Sequence, residues 1–328
     1  MLLKVFFFSS ILVATSAVRA ELKVVTTIKP LHSLIANVMD GVGEPALLIE
    51  GSTSPHSFTL KPSHAKLLEE ADIIFWVGES IETFMERPLE SIVKNAEVVE
   101  FMEVESINKL KFREVSIFED HDDHDNHDDH DDHDDHDDHD DNNDHDEHDD
   151  HSGHDDHGHG HGEFDAHIWL DPMNAKEMVH EIAHELGDLD PANKNKYEAN
   201  AQATIQALDQ LINDIEKGIN KDAKFVVFHD AYQYFEERFE TKAAGALTLN
   251  TDVLPGAKQI ADIQDVIKDR GIKCIFSEPQ FNPKIITTIA EDMNIKTGVF
   301  DPLGTNIDSN KDLYFKLIQN LGNELKGC

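Results

Sequence analysis

Positive charge is scarce in this chain: 28 Lys and Arg stand against 66 Asp and Glu, a formal charge of −38 over 328 residues. That balance argues against nucleic acid or an anionic membrane surface as a partner and favours cations. Cysteine is limited to Cys274 and Cys328, which leaves at most one bridge. Beyond the first twenty residues no segment reaches the roughly 18 uninterrupted apolar residues of a membrane span. No Gly-rich phosphate loop and no strand-elbow nucleophile motif occurs, so phosphoryl and acyl transfer have no constellation to work with.

What the chain has instead is a tract from Glu119 to Gly162 built almost entirely of Asp and His. His121, His124, His127, His130, His133, His136 and His139 recur every third residue, and His145, His148, His151, His154, His157, His159 and His161 follow. The tract holds 14 of the 21 His and 22 of the 66 acids, with no Lys or Arg. Imidazole nitrogen is thereby offered to divalent metal inside a strongly negative field. Without apolar side chains to offset the entropy of ordering, such a stretch is expected to be a disordered, solvated loop with many weak, exchangeable sites. A solubilising acidic spacer is the alternative, but a spacer needs no imidazole at every third position.

Setting the tract aside leaves a charge of −16, and the whole chain's 39% hydrophobic content, all of it outside the tract, supports about two domains. Residues 1–20 read as an export signal: Lys4, an apolar run from Val5 to Val13, then small residues ending at Ala20. Cleavage after Ala20 would give a soluble product in a Gram-negative periplasm. In an oxidising compartment Cys274 and Cys328 read as one disulfide tethering the C-terminal tail, with two free thiols as the alternative.

Short apolar runs alternate with helical patterns along the mature chain. Leu22 to Ile28, Ala46 to Ile49 and Ile73 to Val77 read as strands, and so do Phe225 to Phe228, Cys274 to Phe276 and Thr297 to Phe300. The alternation predicts an α/β protein with two lobes, each a parallel sheet flanked by helices. Between the two sets, Asp190 as N-cap and Pro191 at the first position open one helical pattern with Tyr197, Ala201, Ile205, Leu208, Ile212, Ile215 and Ile219 on a single stripe. The expected division is an N-terminal lobe over 21–187 containing loop 119–162, a rigid linker helix over 188–221, and a C-terminal lobe over 222–328.

Outside the tract seven His remain, and three are placed suggestively. His56 follows the Ala46 strand, His229 follows the Phe225 strand, and His167 lies in Asp165-Ala-His-Ile-Trp-Leu-Asp-Pro172. Open parallel sheets bind ligands beyond the carboxyl ends of their strands, so these residues can converge between two lobes. Asp301, just after the last predicted strand, is placed the same way. Any one such His is more often an ordinary loop or core residue; three together suit Zn²⁺, whereas Mn²⁺ favours carboxylate and water.

Gly51-Ser-Thr-Ser-Pro-His56-Ser-Phe-Thr-Leu-Lys-Pro62, the Asp165 to Pro172 run and Phe228-His229-Asp-Ala-Tyr-Gln-Tyr-Phe235 resemble the three ligand loops of ZnuA-type periplasmic zinc-binding proteins, the solute receptors of zinc ABC importers. Ser277-Glu-Pro-Gln-Phe281 and Asp301-Pro-Leu-Gly-Thr305 extend the likeness over nearly the whole mature chain. The resemblance implies Zn²⁺ bound by His56, His167 and His229, delivery to a membrane permease, and a monomeric receptor that is not an enzyme. Manganese receptors of the superfamily tend to carry a carboxylate where His229 stands. An acidic His tract before the second motif, a rigid interlobe helix and a Cys274–Cys328 bond are also implied. Some relatives have Glu before the first ligand His; here the position is Pro55. Asp301 or a water is left to complete the tetrahedron. Asp171 and Asp230 are candidates for orienting the imidazoles, or for helix N-caps.

A rival motif is His180-Glu181-Ile-Ala-His184, which spells HExxH, the zinc signature of metalloproteases. Val179, Ile182, Ala183 and Leu186 supply an apolar stripe to the same helix, which leaves both His free to face solvent. His32 and His64 lie in helical stretches and read as structural. The sequence therefore points to zinc capture and delivery, with a metal buffer acting through the tract as the competing class. Because ligating His must be neutral, zinc affinity is expected to fall as pH drops through the imidazole range near 6.5.

Overall fold

The computed structural model describes residues 21–118, 163–249, 251 and 255–328. The expected signal segment and the His/Asp tract lie outside the described residues. Eight strands and nine α-helices are found among those described. The first sheet is built from β1 (Val24–Thr26), β2 (Ala46–Leu47), β3 (Ile73–Trp76) and β4 (Glu97–Glu100). Around it lie α1 (Lys29–Val38), α2 (Pro62–Glu70) and α3 (Glu86–Ser91), followed after the tract by α4 (Pro172–Leu189) and α5 (Lys194–Glu216). The second sheet comprises β5 (Phe225–His229), β6 (Ala246–Thr248), β7 (Cys274–Ser277) and β8 (Lys296–Val299), with α6 (Gln233–Phe239), α7 (Ala257–Asp269), α8 (Lys284–Met293) and α9 (Leu313–Lys326).

Both sheets are wholly parallel and share one strand order, β2-β1-β3-β4 and β6-β5-β7-β8. The two-lobed α/β architecture expected from the alternation is therefore present. The six expected strands fall within a residue or two of their places. β4 and β6 had no such signal: β4 reads Glu-Val-Val-Glu with its first two residues exposed, and β6 is three residues long after Gly245. β4 is a half-exposed edge strand, where burial imposes less of an apolar pattern, whereas β6 is buried but too short to form a recognisable run.

The expected linker helix needs correction. Asp190 does not open it; Asp190 ends α4, and its Oδ2 accepts from Asn193 Nδ2 at 2.6 Å while Asn193 N–H bonds back to Asp190 C=O at 3.0 Å. The result is a tight turn over 190–193, so that α4 and α5 fold back on one another as a hairpin, tied by Lys176–Asp209 at 2.6 Å and Lys194–Asp188 at 2.9 Å. Pro191 sits in that turn rather than inside a helix. The connector proper is the 23-residue α5, about 34 Å at 1.5 Å per residue. It touches both lobes: Asn200 Nδ2 bonds Val38 O at 2.8 Å, and at its other end Ile215 packs so closely on Gly322 of α9 that a Cβ there would meet Ile215 Cγ2 at 3.1 Å.

One hydrophobic core runs across both lobes, and a smaller one lies between the second sheet and α7 and α8. The interlobe seam is buried and polar as well as apolar. Trp169 Nε1 donates to Pro302 O at 2.8 Å, and Tyr314 OH to Trp169 O at 2.7 Å. Lys29, 5% exposed, places Nζ among the carbonyls of Gly304, Thr305 and Ile307 at 2.6–3.0 Å. A buried ammonium left without these acceptors would cost several kcal/mol, so the seam holds the lobes in one spacing. The segment before the tract adds a further strap: Phe118 N–H bonds Ala244 O at 3.1 Å and Ala246 N–H bonds Ser116 O at 2.8 Å, covering the β6 edge. Cys274 and Cys328 form a disulfide with Cα atoms 5.8 Å apart, fastening the chain end to β7.

Candidate metal centre

Three separate chain segments deliver the imidazoles. His56 rides on a single 3₁₀ turn, Pro55–Ser57, whose N-cap Ser54 accepts from the His56 N–H at 3.3 Å. His167 leads into a buried 3₁₀ turn, Ile168–Leu170, that runs on into α4. His229 is the last residue of β5. Their ring centroids are 5.2–5.9 Å apart, and one ligating nitrogen from each lies within 4.8 Å of the others. No second group of three or more His, Cys, Asp or Glu able to hold a metal is found among the described residues.

Two of the rings are oriented by carboxylates. Asp165 Oδ1 lies 2.6 Å from His167 Nδ1 and also accepts the His167 N–H at 3.0 Å, while its Oδ2 accepts from Gln233 Nε2 at 2.6 Å. Glu278, one residue beyond β7, repeats the device on His229, with Oε1 2.6 Å from Nδ1 and 3.2 Å from the backbone nitrogen. Each carboxylate assigns the proton to Nδ1, so both Nε2 atoms present lone pairs. Those two Nε2 atoms stand 3.3 Å apart. Two lone pairs at that distance repel unless a cation or a proton lies between them, which makes the point they share a place for a positive charge.

Burial, the largest single influence, pushes the His229 imidazolium down, but Glu278 together with Asp230 and Asp165 outweighs it and the net position is above the ordinary 6.5. His167 and His229 are 5% and 3% exposed, whereas His56 is half-buried. A cavity of about 540 Å³ opens beside them, lined among others by Ser80, Ile81, Arg113 and Asp230.

The other expected site residues fall elsewhere. Asp301 is not part of the imidazole group: its Oδ1 accepts from Gln280 Nε2 at 2.9 Å and Leu303 N–H at 3.1 Å, and its Oδ2 accepts the Thr305 N–H. These bonds shape the 301–305 turn. Asp171 is the N-cap of α4, accepting from Met173 N–H at 2.8 Å and gripped by the Arg238 fork at 2.7 and 2.8 Å. Asp230 pairs with Arg113 at 2.9 Å, and Arg113 also holds Glu236 at 2.7 Å. The imidazole partners are instead Asp165 and Glu278, which sit inside the quoted motifs but carry no local signal of that role. His180 and His184 face solvent on α4, with Ile182, Ala183 and Leu186 inward, and His184 bonds Glu185 at 2.9 Å. His64 Nδ1 accepts the Lys61 N–H at the start of α2, and His32 Nε2 meets Pro45 O, both structural roles.

Fold and site together define a two-lobed α/β protein whose crevice gathers nitrogen ligands for a single cation. Residues 24–328 match the family model described as ZnuA, zinc-uptake complex component A, periplasmic. Among curated proteins, the chain is 50% identical over 307 residues to the high-affinity zinc uptake system protein ZnuA of Brucella abortus (strain 2308), covering 93% of this chain and 91% of that protein. It is 31% identical over 322 residues to the same-named protein of Yersinia pestis, covering 98% and 95%. A crystal structure of ZnuA superposes with a TM-score of 0.69 at 20% identity, covering 92% of this chain and 98% of that one, which carries the fold. The chain belongs to the ZnuA family of periplasmic zinc-uptake components.

Proposed function

We propose that this protein captures one Zn²⁺ on His56, His167 and His229 in the interlobe cleft and delivers it to the membrane permease of a zinc ABC importer. The observation that carries the reading is the meeting of three ligating nitrogens, from positions 56, 167 and 229, within 4.8 Å of one another. Three neutral imidazoles, two of them held by carboxylates, suit zinc better than manganese. Since Asp301 is engaged in its own turn, a water is the better candidate for the fourth position.

The two lobes are taken as residues 21–187 and 222–328, with α5 as the rigid element between them. Export with cleavage after Ala20 delivers the receptor to the periplasm, where it acts as a monomer. Among the described residues no helix is long and apolar enough to cross a membrane, so the permease is a separate partner. The protein is a carrier and not a hydrolase, the HExxH spelling standing on the outer face of α4. Replacing Glu181 by Gln is expected to leave zinc binding unchanged and to reveal no proteolysis of an unstructured substrate.

The tract over 119–162 collects metal at lower affinity. Deleting it tests receptor against buffer: the receptor reading expects one tight zinc site to persist and then to vanish on His56→Ala, measured by titration against a competing chelator. Loss of all tight binding on deletion would establish the buffer.

A further inference from the structure

One wall of the cleft belongs to the loop over 77–82, between β3 and α3. Ile81, 2% exposed, lines both the 540 Å³ cavity and a narrow pocket behind it that touches all three imidazoles and Trp169. The residue after it, Glu82, is fully buried. Its Oε2 accepts the N–H groups of Val77 at 2.7 Å and Gly78 at 3.3 Å, while its own N–H donates to Gly78 O at 3.0 Å. The loop is thus closed on itself through that side chain. Glu82 also interacts with Thr27 just beyond β1, and its Oε1 and the Thr27 hydroxyl are both buried with no close hydrogen-bond partner among the described residues.

A buried carboxylate without a cation beside it is costly, and the charged group acting on Glu82 is another acid, Glu100. The neutral acid fits: one oxygen accepts the two N–H groups and the other carries a proton for Thr27. Burial, with Glu100 adding to it, outweighs the pull of Thr27, Val77 and Gly78 and raises this carboxyl to about 7.

We propose that Glu82 is a positioning residue of the metal cleft: as a neutral carboxylic acid it fixes the 77–82 loop to the ends of β1 and β3 and so seats Ile81 against the three imidazoles. The proposal rests on those imidazoles being the zinc ligands. Glutamine copies the neutral acid, with an amide donor for Thr27 and a carbonyl for the two N–H groups. Alanine removes both.

The test compares Glu82→Gln, Glu82→Ala and Thr27→Val in the full chain by zinc titration at pH 7, with His56→Ala as control. Glu82→Ala is expected to weaken zinc about 10-fold, in the range seen for groups that orient ligands from behind, and Glu82→Gln to restore it to within about 2-fold. A thermal-unfolding series without metal gives a second readout. Relative to the Gln variant, the wild type holds stability below about pH 4.5 that is lost as pH rises to about 7, so the difference in Tm shrinks across that window. If Glu82→Ala does not fold, the Tm series for Glu82→Gln and the zinc titration of Thr27→Val decide. Zinc affinity unchanged in Glu82→Ala, or in Thr27→Val where only that variant folds, overturns the proposal. So does Glu82→Gln as weak as Ala, or a Tm difference flat between pH 4.5 and 7. A His56→Ala control that keeps tight zinc would instead remove the ligand assignment itself.

Discussion

His167 and His229 enter the cleft from buried ground, each gripped at Nδ1 by a carboxylate at 2.6 Å, whereas His56 enters from a 3₁₀ turn that follows the exposed residues Gly51, Ser52 and Thr53. The contrast separates two jobs. A pair of rings whose lone pairs already converge at 3.3 Å is preorganised, so little ordering remains to be done when the ion arrives. The third ring, half-buried on its 3₁₀ turn, completes the set. One half of the site is thus anchored by buried carboxylates, while the other stands on a turn beside an exposed stretch.

Ligand deletion gives the largest effect. His229→Ala and His167→Ala should each lower zinc affinity by more than the roughly 100-fold reached when orienting groups are lost. His56→Ala should also abolish the tight site, yet cost less than either, because it leaves the preorganised pair in place. Competition titrations with a chromophoric zinc chelator measure all three. Equal losses at the three positions would erase the distinction between the carboxylate-held pair and His56.

Next come the clamps. Glu278→Gln and Asp165→Asn keep the shape and remove the charge, and each is expected to weaken zinc roughly 10- to 100-fold. The pH profile distinguishes Glu278 from a merely structural group. Since Glu278 raises the proton affinity of His229 above 6.5, zinc has to displace a proton that is held more firmly, and the wild-type affinity should decline with falling pH from a midpoint above 6.5. In Glu278→Gln burial is opposed only by the more distant charges of Asp230 and Asp165, so that midpoint should move to lower pH. A midpoint that stays in place would mean that another group sets the profile.

How much of this was legible beforehand follows the same divide. Two of the three clustered His, His56 and His229, could be found because each follows an apolar strand run, while His167 stood out only within the run from Asp165 to Pro172. Their partners could not. Glu278 lies 49 residues from His229, and the 2.6 Å contact exists only because β5 and β7 pair in register. The same limit applies to the linker: the stripe from Tyr197 was correctly helical, but Asp190-Pro191 can equally start a helix or make a turn. The Asn193 and Tyr197 groups that converge on Asp190 Oδ2 decide for the turn. β4, with two exposed positions of four, lacks an apolar run, and β6 is buried but only three residues long, so neither was announced.

Asp301 supplies the smallest expected effect and the sharpest check on where the site ends. Its place after the last strand matches that of a ligand, yet three donors from Gln280, Leu303 and Thr305 already occupy its carboxylate. Lys29, whose ammonium sits among the carbonyls of the same loop, feels its charge across the lobe seam. Removing the carboxylate should therefore loosen the 301–305 turn and the seam more than it disturbs the ion. Asp301→Ala is expected to lower stability by about 1–3 kcal/mol, the cost of leaving buried donors unpaired, while zinc affinity shifts by less than about 3-fold. Thermal unfolding without metal and a zinc titration on the same preparation measure the two quantities. Should affinity fall as far as in the clamp variants while stability holds, Asp301 belongs to the coordination sphere and the site is four-sided in protein ligands rather than three.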